Sequence, residues 1–185
     1  MGKEELLDIV DESDSIIGRD TRENVHKKGL LHREIHVWFI TPEGKMIFQH
    51  REKDKDTYPD LLDATVGGHV DLGMDYEDTA VKEMLEETGV KATISDLHFL
   101  KKIRARTLDS VTNKINYAFR SQYAYVYKGK ISELKIEEGK ALGFEEWPLE
   151  TILNLNDADK KRFIPIVYSS GFLEMFREMG TLIGK

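Results

Sequence analysis

Apolar positions recur along this chain at two spacings, alternate residues and every third or fourth, and the two divide it into strands and helices. Residues 6–18 read as two short strands around the polar turn Asp11-Glu12-Ser13-Asp14, and Asp20 followed by Glu23 predicts the N-cap of a short helix that Gly29 ends. From residue 32 to 40 the apolar Ile35, Val37 and Phe39 alternate with other residues, and Pro42-Glu43-Gly44 turns the chain into a second strand over 45–49. Residues 51–60 are charged, carry Pro59 and form a loop, after which 61–66 predict a short strand stopped by Gly67-Gly68. Residues 75–88 contain neither proline nor glycine. Val81, Met84, Leu85 and Thr88 there stand at i, i+3, i+4 and i+7 before Gly89, the pattern of an amphipathic helix. Further strands are expected over 97–104, 117–127 and 142–147. In the second of these Tyr117, Phe119, Tyr123, Tyr125 and Tyr127 share one side, either as a sheet core or as a stacking platform for a base. Pro148 opens a helix over 149–153, and 157–179 is helical with breaks near Pro165 and Gly171. Strands and helices in mixed order, with several hairpins, predict an α/β sandwich around a mixed sheet, with an N-terminal strand extension and C-terminal helices. One domain is expected over 1–185, made of an extension (1–30), a core (31–150) and a helical segment (151–185).

Composition narrows the chemistry. The 185 residues include no cysteine, so disulfides, thiolate metal sites and thiol nucleophiles are excluded, and a bound metal must take carboxylate, imidazole or carbonyl ligands. A formal net charge of −7 argues against nucleic acid as a partner, because a phosphate backbone is held mainly by basic patches. No apolar stretch is long enough to cross a bilayer and the charged start lacks a signal core, so no membrane partner and a cytoplasmic location are expected. A small anionic ligand remains compatible with the charge. The tail over 157–185 packs on its own domain or on a neighbour, which leaves monomer and homodimer both open.

On a helix that advances about 100° per residue, Glu83, Glu86 and Glu87 fall within one arc of about that width, nearly opposite the Val81, Met84, Leu85, Thr88 stripe. Carboxylates gathered this way repel one another unless a cation sits among them, and hard oxygen donors suit Mg²⁺ or Mn²⁺. The plainer alternative is a solvated helix face. Gly67-Gly68 lets backbone approach a ligand, so a carbonyl there is a further metal donor. Arg51 and Lys55 in the charged loop, and less directly Arg104 and Arg106, are basic groups available to an anion; each is equally compatible with a solvated charge.

The spacing of these residues resembles the Nudix box. Gly68 is followed after five residues by the loop-glutamate position, and after seven more by Lys82-Glu83-Met84-Leu85-Glu86-Glu87-Thr88-Gly89-Val90, where the family has Arg-Glu-aliphatic-x-Glu-Glu-x-Gly-aliphatic. Met74 stands at the loop glutamate and Lys82 at the arginine, whose planar fork lysine lacks. The resemblance implies a Nudix fold, a diphosphate substrate, and Mg²⁺ or Mn²⁺ held by Glu83, Glu86 and Glu87, with the Gly67 carbonyl as a further candidate. It leaves Glu83, Glu137 and Glu138 as alternative general bases. Residues 25–33 and Tyr58-Pro59-Asp60-Leu61-Leu62-Asp63 resemble type 1 isopentenyl diphosphate isomerases and the Nudix hydrolases related to them. That likeness implies phosphate contacts for Arg51 and Lys55 and a second metal site on His26, His32 and His69. Residues 114–127 hold no Asp or Glu to complete such a shell, so packing and hydrogen bonding are the other role for these histidines. The isomerases also need a cysteine beside the glycine pair, where this chain has Gly67. A metal-dependent diphosphate hydrolase is therefore the leading expectation, ahead of a Nudix-fold binding module that does not hydrolyse its ligand, and ahead of an isomerase.

Overall fold

The computed structural model describes residues 5–55, 58–108 and 113–183. The chain opens with an antiparallel hairpin, β1 (Leu6–Val10) and β2 (Ile16–Thr21), followed by the short helix α1 (Arg22–Lys28). Thr21 rather than Asp20 caps α1, its hydroxyl accepting from the Asn24 N–H, while Asp20 holds the Asn24 side chain from one residue earlier. Gly29 closes the helix at φ 65°, a conformation that costs a glycine little.

Strand β3 (His32–Ile40) organises the main sheet. It runs parallel to β8 (Ile115–Val126), which pairs antiparallel with β7 (His98–Leu108), so the sheet is mixed as expected. Its hairpin partner β4 (Lys45–Arg51) stays beside it only at Phe39–Ile47 and Ile40–Met46. Beyond that point β6 (Val66–His69) takes the place beside β3, and β4 continues against β9 (Ala141–Pro148) and the two-residue β5 (Leu62–Asp63). A cleft opens between these diverging strands.

Both faces of the sheet are covered, so β3 reads as an almost unbroken buried run. Ile35, Val37 and Phe39 pack with Val66, Ala80 and Met84 under the helix α2 (Tyr76–Thr88). On the other face Trp38 and Ile40 pack with Phe48, Phe163, Phe172 and Phe176 beneath α3 (Leu149–Leu153) and α5 (Ser170–Gly180), with the short α4 (Asp157–Lys160) between them in the chain. Tyr123 of β8 and Tyr127 just after it are buried in the α2 core, which places that end of the aromatic row in packing rather than on an open platform.

Further sequence expectations are corrected or refined. The strand over 61–66 is split into β5 and β6, and Gly67-Gly68 lies inside β6 instead of stopping a strand. The break expected near Gly171 falls two residues earlier, at Ser169, and Gly171 itself sits in the first turn of α5. Most consequentially, the buried face of α2 is not centred on the Val81–Leu85 stripe. Leu85 is 46% exposed while Glu83 and Glu87 are 7% and 2% exposed, so the helix turns two glutamates inward.

The N-terminal hairpin is fastened by Asp14, a residue at φ 63°. Its carboxylate accepts from Arg33 Nε at 2.7 Å, Lys102 Nζ at 2.8 Å and the Tyr76 hydroxyl at 2.9 Å, tying the hairpin to β3, β7 and α2 together. Burial alone would raise its pKa, but Lys102, Arg33 and Tyr76 together hold it below the ordinary carboxylate range. Asp14→Ala strips these donors of their shared acceptor and is expected to lower stability by about 2 kcal/mol in urea unfolding; a loss below about 0.5 kcal/mol contradicts a clamp.

Candidate active site

Helix α2 starts at Asp75, whose carboxylate accepts from the Asp78 N–H at 3.0 Å, and ends at Gly89, φ 72°. It lies across β6 and β3, so the residues facing the sheet are Ala80, Met84 and, on the same side, Glu83 and Glu87. Of the glycine pair of β6, Gly68 makes room for Glu83 and Gly67 makes room for His36. A Cβ on Gly68 would stand 2.9 Å from Glu83 Cδ, and one on Gly67 would stand 3.1 Å from His36 Cδ2. Met74, at the loop position where the family pattern has glutamate, tucks against the α2 core.

Glu87 is the most enclosed carboxylate of α2. Its Oε2 accepts from Gly67 N at 3.3 Å and Gln49 Nε2 at 3.2 Å, and its Oε1 lies 3.1 Å from Lys140 Nζ. Burial pushes its pKa up to about 7 and raises that of Glu83 as well, against the pull of Lys140. Glu83 is bracketed by two ammonium groups, Lys82 at 3.3 Å from Oε1 and Lys140 at 3.8 Å from Oε2. Lys82 also reaches Asp71 at 2.9 Å and Glu86 at 3.0 Å. The glutamates therefore do not form one solvent face. Glu83 and Glu87 look into the cleft, and Glu86, with its side chain 49% exposed, sits at the rim on Lys82.

The donor set fits a hard divalent cation. Asp71, Glu83, Glu86, Glu87 and Glu137 gather here around Lys82 and Lys140, and burial raises the pKa of Glu87 in spite of Lys140. Gly67 turns its N–H toward Glu87, and in an extended strand the carbonyl of the same residue faces the same side.

The cleft has a volume of about 1310 Å³ and takes in Glu83, Glu87, Arg51, Lys55 and Lys140. Arg51 is paired with Asp63 at 3.1 Å, and Lys55 donates to the Gly139 carbonyl at 2.7 Å. Of the two loop glutamates, Glu137 turns inward to within 3.5 Å of Lys140 Nζ, its Oε2 buried without a hydrogen bond among the described residues, whereas Glu138 is exposed. Arg104 pairs with Glu12 at 3.3 Å, and neither it nor Arg106 is among the residues that line the cleft.

The cleft also reaches the histidines. Among the described residues His26, His32 and His69 bring one ring nitrogen each to within 4.8 Å of one another. The Nδ1 of His32 lies 3.0 Å from the Leu30 carbonyl and that of His26 lies 3.3 Å from the Ile115 carbonyl, so an Nδ1–H tautomer on both leaves Nε2 facing the cluster. The fully buried His32 Nε2 has no hydrogen-bond partner among the described residues. Burial lowers the pKa of His26 and brings His69 down to about 3, so these two rings are neutral. Sequence reasoning sought their acidic partner over 114–127 and missed Glu34, whose Oε1 stands 3.6 Å from both His32 Nε2 and His69 Nε2. Burial would neutralise Glu34; Arg120, donating to Oε2 at 2.8 Å, holds its pKa well below the ordinary range, and Asn116 donates to Oε1. The missed signal was the alternation itself, since His32, Glu34 and His36 occupy one side of a strand. Lys140 and Gln49 gave no such signal, being brought to α2 only by the tertiary fold.

The Glu87 shift sets a pH dependence. With a folded pKa of about 7 against an ordinary 4.5, the folded protein takes up a proton between these values, so stability without added metal falls as pH rises through that window and levels off above it. Thermal melts of the chelator-treated protein from about pH 4.5 to 8, compared with Glu87→Gln, are expected to show a downward trend that the variant lacks; parallel curves contradict the assignment.

Comparison with known proteins places this geometry. The NUDIX domain family matches residues 30–166. An uncharacterized Nudix hydrolase of Clostridium acetobutylicum is 32% identical over 174 residues, covering 92% of this chain and 81% of that one. One of Streptomyces coelicolor is 41% identical over 86 residues, 46% of this chain and 48% of its own length. Among solved structures, a protein of Deinococcus radiodurans superposes with a TM-score of 0.65 at 22% identity, covering 94% of this chain and 98% of that one. The NUDIX domain of Shewanella oneidensis NrtR, solved with ADP ribose, gives 0.55 at 16% identity, covering 80% and 86%. These two share the fold alone. With the family pattern matched across most of the chain and a relative 32% identical over nearly all of it, the protein belongs to the Nudix hydrolase family.

Proposed function

We propose that this protein hydrolyses a diphosphate bond in a nucleoside diphosphate derivative or a related small molecule, using Mg²⁺ or Mn²⁺, and that it does so in the cytoplasm. The observation that carries this reading is the burial of Glu83 and Glu87 together against Gly67-Gly68, at a cleft that also holds Arg51 and Lys55. Mutual repulsion and desolvation both oppose the enclosure of two carboxylates beside each other, and a divalent cation between them offsets both. The working unit is the whole of 1–185: the extension carries His26, the core carries the carboxylates, and the C-terminal segment covers the opposite face of the sheet.

Glu83, Glu87 and the Gly67 carbonyl would hold the ion, with Glu86 turning in from Lys82. When bound, the ion supplies charge neutralisation to the diphosphate oxygens and lowers the pKa of a coordinated water. The protein's own groups do the rest. Gln49 and the Gly67 N–H fix the Glu87 carboxylate, and Arg51 and Lys55 exchange their present partners for phosphate oxygens. Water attacks phosphorus, the bridging P–O bond breaks, and Glu137 accepts the proton. It is favoured over Glu138 by its inward carboxylate.

The histidine cluster favours a second element of this reading, the relationship to the branch that includes the isopentenyl diphosphate isomerases. Three imidazoles and the Glu34 carboxylate form a donor set for a second metal ion. Isomerase chemistry by the cysteine relay is excluded, since the chain has no cysteine.

Glu86→Gln/Glu87→Gln is expected to lower metal-dependent turnover at least about a hundredfold with the fold intact by circular dichroism; undiminished turnover removes the mechanism. The substrate is to be found by phosphate release over dinucleoside polyphosphates, ADP ribose and nucleotide sugars, nucleoside di- and triphosphates and prenyl diphosphates. For the second site, His26→Ala/His69→Ala is expected to lose one equivalent of bound metal in elemental analysis after equilibration with Zn²⁺ or Mn²⁺, and unchanged stoichiometry opposes it.

A further inference from the structure

Lys140 has no place in the box and none in the mechanism above, yet its ammonium group stands among the carboxylates. It lies 3.1 Å from Glu87 Oε1, 3.8 Å from Glu83 Oε2 and 3.5 Å from Glu137 Oε2. Its backbone is fixed, because the Lys140 N–H donates to the Glu137 carbonyl at 3.1 Å and the next residue, Ala141, opens β9 in register with Arg51. The ammonium is thus delivered to the inner side of Glu83 and Glu87 by a tether that cannot drift away. Lys82 differs: it reaches Glu83 from the helix's outer side and is shared with Asp71 and Glu86.

We propose that Lys140 is a built-in counter-ion of the carboxylate site, which a divalent cation must displace from Glu83 and Glu87 in order to bind. The inference rests on the metal-site reading above and adds an exchange to it. A single positive charge and a divalent ion cannot both occupy the space between these two carboxylates, since each repels the other over a few ångströms in a partly dry cleft. Without metal, the ammonium relieves the repulsion of two buried carboxylates and keeps α2 against β6. With metal, only the side chain has to move, because the anchored backbone leaves its four-carbon stem free to swing toward Glu137 and the cleft. The arrangement weakens metal binding relative to a site without the lysine, so the protein holds its glutamates in place at all metal concentrations and releases the ion readily.

The test is Mn²⁺ binding to the full chain, measured by calorimetry and by the electron paramagnetic resonance signal of free Mn²⁺, for the wild type, Lys140→Met, Glu87→Gln and the double variant Lys140→Met/Glu87→Gln. Lys140→Met is expected to bind roughly tenfold tighter at the site that Glu87→Gln removes, and to melt lower than wild type in chelator but to gain more on adding Mn²⁺. Equal or weaker binding by Lys140→Met overturns the exchange, leaving the lysine as a structural partner or an aid to binding. If Glu87→Gln leaves Mn²⁺ binding unchanged in both backgrounds, the carboxylate site itself is wrong and the exchange falls with it.

Discussion

The enclosure of Glu83 and Glu87 on the sheet-facing side of α2 is the constraint on which the rest of this structure depends. An amphipathic helix lowers its free energy by burying its apolar stripe, and here the helix is turned so that Leu85 meets water and two carboxylates do not. That orientation requires a position without a side chain beneath Glu83, which Gly68 supplies. It requires donors for the inward oxygens, which Gln49, the Gly67 N–H and Lys140 supply from three separate parts of the chain. It also requires β4 to leave β3 after a short pairing, so that β6 can lie beside β3 and the cleft can form over the glutamates.

Much of the fold was legible because its signals are local. The end of α1 and the limits of α2 are set by Gly29, Asp75 and Gly89, the start of α3 by Pro148, and the β3–β4 hairpin by Pro42-Glu43-Gly44, whereas the cap of α1 is Thr21, one residue after the Asp20 that the sequence suggested. The orientation of α2 was not legible. Hydropathy puts leucine inside and glutamate outside, and only a site that needs carboxylates in the interior reverses this. The box pattern includes the two glutamates that turn inward, but periodicity alone gave the wrong side of the helix. The split of 61–66 into two strands escaped for a related reason: a glycine pair usually ends a strand, and here it stays in one because a neighbouring side chain fills the vacated space.

The histidine cluster shows how the extension joins the site. His26 comes from α1, His32 from the start of β3 and His69 from the end of β6, so the extension fastened by Asp14 contributes a wall of the same cleft. Glu34 and Arg120 stand directly across from each other in the β3–β8 register, and this pairing keeps a carboxylate charged beside the three rings. The carboxylate cluster and the imidazole cluster are thus two groups of different donor chemistry facing one cavity.

The central claim is that Glu83 and Glu87 face inward to hold a divalent cation. Anomalous diffraction from crystals equilibrated with Mn²⁺ tests it most directly. The account predicts a peak bonded to the carboxylate oxygens of both residues, with the Lys140 ammonium withdrawn from between them. A map with no peak there, in which the ion lies only among the histidines or the lysine keeps its place on Glu87, would contradict it.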